Sequence, residues 1–428
     1  MSHFGVVAPP FPSHFKVFQA LAIELIERGH RVTVLHQVDA KAWLDDGRVG
    51  FHALGQDTHP AGSLAATLRC AANPGGPLGL RRLIGDMART TDMLCRELPA
   101  QLDALGIDAL LCDQMEAAGG LVAEGSGRPF VSLACALPVN REAGVPLPVM
   151  PMAYEGSERA RQIYQGSTRI YDWLMGAHRQ SVARHAHHFG LSPREGLHEC
   201  LSPSAQISQT LPGFEFPRRA LPEHFHHVGP LRSIEEVSRP LTIQPVPGRP
   251  LVFASLGTLQ GHRFGLFKRI AQACARLDVQ LLLAHCGGLN AEQEDQLRRA
   301  GASWVTDFAP QQAVFHHASA LITHGGMNTV MDAIASHTPM LVTPIAFDQA
   351  GVAARVEHAG IGLKASARFA GPGTLCEGLE RLLQGSEFSA GLERLREQAL
   401  TAGGTRAAAD IVEQALRTGR PVPAENAA

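Results

Sequence analysis

The chain has 428 residues, of which 45% are hydrophobic and 18% are charged, so it is predicted to be globular and not disordered. Its length indicates two large domains. The 38 Lys and Arg residues are balanced by 40 Asp and Glu residues, which argues against an extended nucleic-acid-binding surface.

The first elements of the chain alternate between strand and helix. Residues 3–8 are predicted to form a buried strand, and Ser13 is placed to cap a helix whose apolar residues recur every three or four positions. Gly29 ends this helix, and residues 31–35 form the next strand. Later elements are predicted at 49–54, 107–112 and 129–134 (strands) and at 80–105 (helix). Apolar strands that alternate with helices predict a parallel sheet covered on both faces.

Residues 140–235 interrupt this alternation. They contain an apolar loop of prolines and methionines and a helix at about 157–178 that carries tyrosine and tryptophan side chains. The following residues, 236–250, are polar and rich in proline, and they are predicted to be a linker.

The alternation resumes after the linker. Strands are predicted at 251–255, 279–284, 304–308, 320–323 and 340–343. The predicted organisation is an N-terminal domain (1–235), the linker (236–250), a C-terminal domain (251–418) and a loose tail (419–428). The fold class is therefore α/β, with two parallel-sheet domains facing each other across a cleft. Ligands of such sheets bind outside the carboxyl ends of the strands.

Two glycine turns in the second domain indicate a phosphate site. The turn His324-Gly325-Gly326-Met327-Asn328 separates a strand from a helix, and Ser255-Leu256-Gly257-Thr258 follows another strand. A helix N-terminus offers free N–H groups and the positive end of the helix dipole, and two such turns suit a diphosphate. The sequence has neither a Walker A pattern nor a G-x-G-x-x-G, so a P-loop NTPase and an ordinary dehydrogenase are not indicated.

The eight cysteines form no C-x-x-C pair, which favours reduced thiols and a cytoplasmic location over disulfides or a metal site. No leader sequence and no apolar stretch of about 18 residues is seen, so we expect neither a signal peptide nor a transmembrane helix. Peripheral contact with the inner face of the membrane stays open, because it needs only a surface patch.

The donor-side motifs resemble a known family. Phe308-Ala309-Pro310-Gln311, His324 to Thr329 and Asp348-Gln349 together resemble the donor signature of the UDP-glycosyltransferase family, whose members have the GT-B fold of two Rossmann-like domains. The resemblance covers nearly the whole chain. The runs 87–99 and 255–263 resemble the carotenoid-modifying branch of that family.

The resemblance implies UDP-glucose as the donor, with a role for each matching residue. Phe308 would stack on the uracil, Gln311 would lie near the base and ribose, and Asp332 would accept hydrogen bonds from the ribose hydroxyls. The other donor residues would hold the diphosphate (Thr258, His324, Gly326, Asn328 and Thr329) and the glucose hydroxyls (Asp348 and Gln349).

His14 and Asp113 are the predicted catalytic pair. Each follows a predicted strand, so both belong to the same rim of the first sheet. Histidine titrates near neutral pH and suits a general base, and a carboxylate on one imidazole nitrogen would fix its tautomer and stabilise the imidazolium. The resemblance implies the same pair, a single in-line displacement with inversion, and no obligatory metal or other cofactor.

The resemblance implies transfer of glucose to the ring hydroxyls of zeaxanthin, giving the mono- and di-β-glucoside. The alternatives are another hydrophobic alcohol (a sterol, macrolide or flavonoid), a GT-B nucleotide-sugar epimerase, or a non-catalytic nucleotide-sugar binder. The residues predicted to contact the acceptor are Phe11, Met150, Tyr171 and Trp173.

Overall fold

The computed structural model describes residues 1–233, 240–241 and 243–424. Part of the predicted linker (236–239 and 242) and the end of the predicted tail (425–428) lie outside the described residues.

The first half of the chain builds one parallel sheet. Its strands are β1 (His3–Val7), β2 (Arg31–Gln37), β3 (Gly50–Leu54), β4 (Ala109–Asp113), β5 (Phe130–Ala134), β6 (Gln206–Ser208) and β7 (Phe225–His227). Their order is β3-β2-β1-β4-β5-β6-β7. The five predicted strands of this domain are confirmed to within two residues at each end. β6 and β7 were not predicted, because three-residue strands are too short to show a hydrophobic period.

Helices cover this sheet on both faces. They are α1 (Pro12–Glu27), α2 (Leu64–Ala72), α3 (Pro77–Leu105), α4 (Ala117–Gly125), α5 (Glu158–Leu174) and α6 (Gly176–His188). Gly106 ends α3 in the left-handed conformation (φ 62°), and its N–H donates to the Asp103 carbonyl. The helix predicted at 157–178 is in fact two helices, α5 and the start of α6, which meet at Met175.

The second half repeats the plan with a second parallel sheet. Its strands are β8 (Leu251–Ser255), β9 (Gln280–Ala284), β10 (Trp304–Thr306), β11 (Ala318–Thr323), β12 (Met340–Val342) and β13 (Gly362–Lys364), in the order β10-β9-β8-β11-β12-β13. Its helices are α7 (Gly257–Gln260), α8 (Phe264–Cys274), α9 (Ala291–Ala300), α10 (Gln311–Phe315), α11 (Met327–Ala335), α12 (Gln349–His358), α13 (Pro372–Gln384), α14 (Ser389–Thr401) and α15 (Gly404–Thr418).

Strand order decides which chain segments meet at the cleft. β1 lies beside β4, with Val7 paired to Cys112, so the loops that follow these two strands are neighbours. In the second sheet β8 lies beside β11, and Ser255 pairs with Thr323. The two predicted glycine turns therefore lie side by side, and the carboxyl ends of both sheets supply the site, as parallel α/β sheets do.

The last helix corrects the predicted domain boundary at 418. Ala408 and Val412 of α15 are buried in the core of the first domain together with Phe4 of β1. Arg28, which follows α1, pairs with Asp410 at 2.6 Å and with a second carboxylate of α15 at 2.9 Å. An apolar stripe at helical spacing packs wherever a matching groove is available, and here that groove lies on the other domain.

The predicted loose tail is also held in place over its described part. Val422 is 3% exposed, its N–H donates to the Ser204 carbonyl at 2.9 Å, and its carbonyl accepts from His226 Nε2 at 3.0 Å. The C-terminal segment, from α15 to Val422, therefore packs on the first domain. Within the described residues, no helix combines the length and the apolar character needed to cross a bilayer.

Candidate active site

A cavity of about 470 Å³ lies between the two domains and is lined by both. All ten residues predicted to contact the donor line it, as do His14, Phe11 and Tyr171. The fold thus brings the predicted donor and base residues to one place, although they are spread over more than 300 positions of the chain.

The predicted catalytic pair is in direct contact. His14 Nδ1 lies 2.6 Å from Asp113 Oδ2, and the Asp113 side chain is fully buried behind the imidazole. The second carboxylate oxygen accepts the Met115 N–H at 2.8 Å, which orients the carboxylate. Because Nδ1 is engaged by Asp113, Nε2 is the nitrogen that His14 offers to the cavity. This is the arrangement of a general base with an orienting carboxylate.

The surroundings of His14 favour its protonated form. Burial alone lowers a histidine pKa, but the charge and hydrogen bond of Asp113 and the charge of Asp348 outweigh it and raise the pKa of His14. An imidazole in this position takes up a proton more readily than one in water, as a base must during proton transfer.

Asp348 connects the two domains beside His14. It precedes α12, and its Oδ2 accepts the Leu137 N–H of the first domain at 3.1 Å. Burial raises the pKa of Asp348, although the Leu137 N–H and the nearby His14 lower it. Phe347, which the sequence did not indicate, lines the cavity in a left-handed conformation (φ 56°) and packs edge-on against Phe11 with ring centroids 5.8 Å apart. A positive φ at a non-glycine residue has no sequence signal.

The start of α11 forms a pocket of N–H donors. Gly326 is its N-cap and has no side chain that could occupy the first N–H groups of the helix. A Cβ at Gly326 would lie 2.7 Å from the His324 ring, and one at Gly257 would lie 2.6 Å from it. These two glycines therefore leave the space in which the imidazole sits. Burial lowers the pKa of His324 to about 4, so at neutral pH it is a neutral hydrogen-bonding group.

Asp332 is already held by protein partners. Arg232 Nε donates to its Oδ1 at 2.8 Å, and Gln311 Nε2 donates to its Oδ2 at 2.7 Å. The Thr329 hydroxyl in turn donates to Gln311 at 3.2 Å. Arg232 lines the cavity but was missed, because it lies just before the predicted linker in no recognisable motif. Its guanidinium also donates to the Asn328 carbonyl at 2.8 Å and so buttresses the first turn of α11.

Asn328 links the N-terminus of α11 to α1, the helix that carries His14. Its side-chain amide donates to the Ser13 carbonyl at 3.1 Å, one residue before His14. The buried Gln209 donates to its Oδ1 at 2.8 Å, which fixes the orientation of the amide. The position of His14 is therefore coupled to the N-terminus of α11.

Two further donor residues have different surroundings. Phe308 is 66% exposed, so its ring is available for stacking at the mouth of the cavity. Gln349 is buried, and its Oε1 accepts the N–H groups of Ile345 and Ala346 at 2.9 and 2.8 Å. Its side chain therefore shapes the loop that carries Phe347 and Asp348.

Two of the four predicted acceptor residues lie outside the cavity. Tyr171 lines it, but Trp173 is 78% exposed on the outside of α5, because two positions along a helix turn the side chain by about 200°. Met150 is also absent from the wall, whereas its neighbours Pro148 and Val149 line it. The apolar part of the wall includes Leu83, Met87, Met115, Leu147 and Met175.

A buried polar group on the first-domain side of the cavity was not predicted. Glu116 Oε1 accepts from the Thr91 hydroxyl at 2.8 Å and from the Ala118 N–H at 3.0 Å, and Thr91 lies 3.3 Å from His178 Nε2. Burial raises the pKa of Glu116 to about 7, despite these two hydrogen bonds, and burial lowers the pKa of His178 to about 4. The available signal was the position of Glu116, three residues after Asp113 at the same strand end.

Similar proteins of known function match this chain closely. It is 52% identical over 426 residues to a zeaxanthin glucosyltransferase of Pantoea ananas, covering 99% of this chain and 98% of that protein. It is 48% identical over 418 residues to a zeaxanthin glucosyltransferase of Pseudescherichia vulneris, covering 97% and 98%. The family profile described as "UDP-glucoronosyl and UDP-glucosyl transferase" matches residues 188–396.

Solved glycosyltransferases share the fold. The calicheamicin glycosyltransferase CalG4 is 22% identical with a TM-score of 0.71, covering 98% of this chain and all of that chain. The glycotransferase of kitacinnamycin is 19% identical with a TM-score of 0.75, covering 96% and 98%. The predicted GT-B fold is confirmed by these likenesses and by the two parallel-sheet domains. Because about half of its residues are shared over nearly the full length with the two bacterial enzymes, the chain belongs to the UDP-glycosyltransferase family.

Proposed function

We propose that this chain transfers glucose from UDP-glucose to the ring hydroxyls of zeaxanthin, with inversion at the anomeric carbon. The observation that carries the proposal is that His14, with Asp113 hydrogen-bonded behind it, lies on the wall of the same cavity as the open N-terminus of α11. The base and an anion site thus share one cavity, as attack on a glycosyl diphosphate requires. The likeness to two zeaxanthin glucosyltransferases supports the choice of acceptor.

In the proposed step, His14 Nε2 takes the proton of the acceptor hydroxyl as its oxygen attacks the anomeric carbon of glucose. A new glycosidic C–O bond forms, the bond between that carbon and the diphosphate oxygen breaks, and UDP leaves with the electron pair. Attack opposite the leaving group converts an α-linked donor into a β-glucoside. Asp113, 2.6 Å behind the imidazole, stabilises the imidazolium that results.

The donor residues would divide the work of binding UDP-glucose. Phe308 stacks on the uracil, and Gln311 and Asp332 bind the ribose. The diphosphate is held by the free N–H groups at the start of α11, next to Gly326, and by Thr258, His324, Asn328 and Thr329. Asp348 and Gln349 bind the glucose. The helix dipole and the hydrogen-bond donors around the diphosphate stabilise the negative charge that develops on it as it leaves. The proposal therefore assigns no step to a metal or another cofactor.

Zeaxanthin carries a hydroxyl at each end, so two rounds of transfer would give the diglucoside. The methionine, leucine and valine side chains of the first-domain wall suit a long apolar acceptor, because its burial needs no polar partner. Since such an acceptor resides in lipid, we also propose peripheral contact of the enzyme with the membrane.

The test is incubation of the protein with UDP-glucose and detergent-dispersed zeaxanthin, with products identified by mass. Addition of one and then two hexoses is expected. Transfer to a sterol, macrolide or flavonoid but not to zeaxanthin would overturn the acceptor, and interconversion of the donor without an acceptor would indicate an epimerase instead.

The catalytic assignment has its own test. His14→Ala is expected to abolish transfer while UDP binding, measured by calorimetry, survives. Near-normal turnover by this variant would contradict the role of His14.

A further inference from the structure

The helix α5 has two different faces. Its inner face buries Ala160, Tyr164 and Ser167, and the Tyr164 hydroxyl donates to the Ala153 carbonyl at 2.6 Å. Near its C-terminal end, Tyr171 and Asp172 line the substrate cavity, and Asp172 is held there by an ion pair with Arg141 at 2.6 Å. The helix is therefore firmly attached to the first domain next to the site where the acceptor binds.

The outer face of α5 is apolar and open to solvent. The exposed fractions are 49% for Ile163, 61% for Ile170, 78% for Trp173 and 41% for Leu174. Ile163, Ile170 and Leu174 are spaced by seven and four residues, so they form one stripe along the helix, with Trp173 beside it. Scattered exposed apolar residues are ordinary, but several large ones on one side of a single helix are typical of an interaction surface.

Cations flank this stripe. Arg159 lies one turn before Ile163, and Arg169 is adjacent to Ile170; both are exposed, and neither forms an ion pair with any described residue. Arg161 is also exposed and pairs with Glu158 at 3.4 Å. Unpaired arginines beside an apolar stripe with a tryptophan are the features of a helix that lies in the interface of an anionic bilayer.

A second cavity-lining helix shows the same combination. Leu78 and Leu80 at the start of α3 are 84% and 36% exposed, and the exposed Arg81 follows them. Further along the same helix, Leu83 and Met87 line the cavity. Two helices that carry exposed apolar and cationic residues thus also contribute side chains to the cavity wall.

We propose that the outer face of α5 (Ile163, Ile170, Trp173 and Leu174, flanked by Arg159 and Arg169) binds the surface of an anionic lipid bilayer. The start of α3 would make a second contact. This proposal rests on the proposed function, because a lipid-soluble acceptor must pass between the membrane and the cavity. The apolar stripe enters the boundary between headgroups and acyl chains, the arginines meet lipid phosphates, and the acceptor avoids water.

The test uses vesicles of phosphatidylcholine alone and of phosphatidylcholine with about one-third phosphatidylglycerol. The wild-type protein is expected to cosediment with the anionic vesicles and far less with the neutral ones. The double variant I163S/I170S should lose binding by about tenfold or more, and R159Q/R169Q should lose the preference for anionic lipid. The matched control F369S/L400S removes two side chains that are 80% and 72% exposed on the other domain, and it should bind as wild type does.

Activity separates this proposal from the proposed function. I163S/I170S should turn over vesicle-embedded zeaxanthin several-fold more slowly than wild type and detergent-dispersed zeaxanthin at the wild-type rate. Equal vesicle binding by I163S/I170S and F369S/L400S would overturn the membrane surface. Self-association that I163S/I170S abolishes, without vesicle binding, would overturn it too and identify the face as a contact between copies. Absence of transfer in detergent would contradict only the proposed function.

Discussion

At the scale of single residues, the pKa values of the two cavity histidines are set by burial and, for His14, by two nearby carboxylates. His14 has its pKa raised by Asp113 and Asp348 against the effect of burial, whereas burial alone lowers the pKa of His324 to about 4. The pKa values of two histidines of one cavity are therefore shifted in opposite directions. The first suits proton transfer and the second suits hydrogen bonding to a diphosphate.

Asp113→Asn should change both the rate and the pH profile of transfer. A base works only when deprotonated, so activity falls as the pH drops through the pKa of His14. Because Asp113 raises that pKa and burial lowers it, removing the carboxylate should move the acid limb to lower pH. The maximum rate should fall by about two to four orders of magnitude, since the imidazolium loses its partner. Rates measured from pH 5 to 9 check this, and an acid limb that stays in place would contradict it.

Glu116→Gln should make the protein more stable above neutral pH. The pKa of Glu116 is raised from 4.5 to about 7, so the native state binds more protons than the unfolded state between these values, and the free energy of unfolding falls as the pH rises through that window. The loss is about 3 kcal/mol at most. Glutamine is uncharged and its carbonyl oxygen can still accept from Thr91 and the Ala118 N–H. Denaturation at pH 5 and pH 8 checks this, with the exposed Glu397→Gln as the control; equal pH dependence of both variants would contradict it.

At the scale of elements, the turns after β8 and β11 need glycine because a Cβ at Gly257 or Gly326 would overlap the His324 ring. Gly326 has φ −66°, a conformation open to any residue, so the need for glycine there comes from the neighbouring His324 ring and not from the backbone. Gly257 combines both requirements, with φ 74° and a close approach to the same ring. The helix N-terminus is therefore open to an anion only while these positions lack a Cβ.

Gly326→Ala should weaken UDP binding without unfolding the protein. The new Cβ would lie 2.7 Å from His324, so the imidazole must move out of its place beside the N-terminus of α11. We expect the Kd for UDP to rise by about tenfold, the loss of one good hydrogen bond to a charged group. Calorimetry measures the affinity. Gly265→Ala, which has no atom within 4 Å of the added Cβ, is the matched control and should bind UDP normally; equal affinities would contradict the steric argument.

At the scale of the whole molecule, buried contacts tie the two domains together. Glu215 of the first domain accepts from Arg355 of α12, and the guanidinium lies 4.1 Å from the centroid of the Phe216 ring. Burial would raise the pKa of Glu215, but the charges of Arg355 and Arg218 hold it below its ordinary value. This ion pair, together with the packing of α15 on the first domain, fixes the position of the two domains relative to each other.

Arg355→Ala should destabilise the protein by about 3 kcal/mol, because it leaves Glu215 buried and without its main partner. The double variant Glu215→Gln/Arg355→Met should recover most of that loss, since it removes both charges and keeps the volume. Urea denaturation followed by fluorescence measures the difference. If the double variant is as unstable as the single one, the cost comes from packing on Phe216 and not from the uncompensated charge.

Sequence patterns predicted the parts of the fold that depend on short segments. A few residues are enough to predict the long buried strands, the helix at the start of the chain and the glycine turns, because each has a recognisable hydrophobic period or glycine position. The likeness to the family then assigned ten donor residues and the pair His14 and Asp113. The structure places all of them at one cavity or directly behind it, although their roles stay predictions.

By itself, then, the sequence determined the two parallel-sheet domains, the family and the candidate base and donor residues, because these depend on local pattern. Only the tertiary structure decided that Arg232 supports Asp332, that Glu116 is buried at the cavity, that Trp173 points away from the cavity and that α15 packs on the first domain. Each of these depends on which distant surfaces pack together. Packing is a property of the whole chain, and no single segment encodes it.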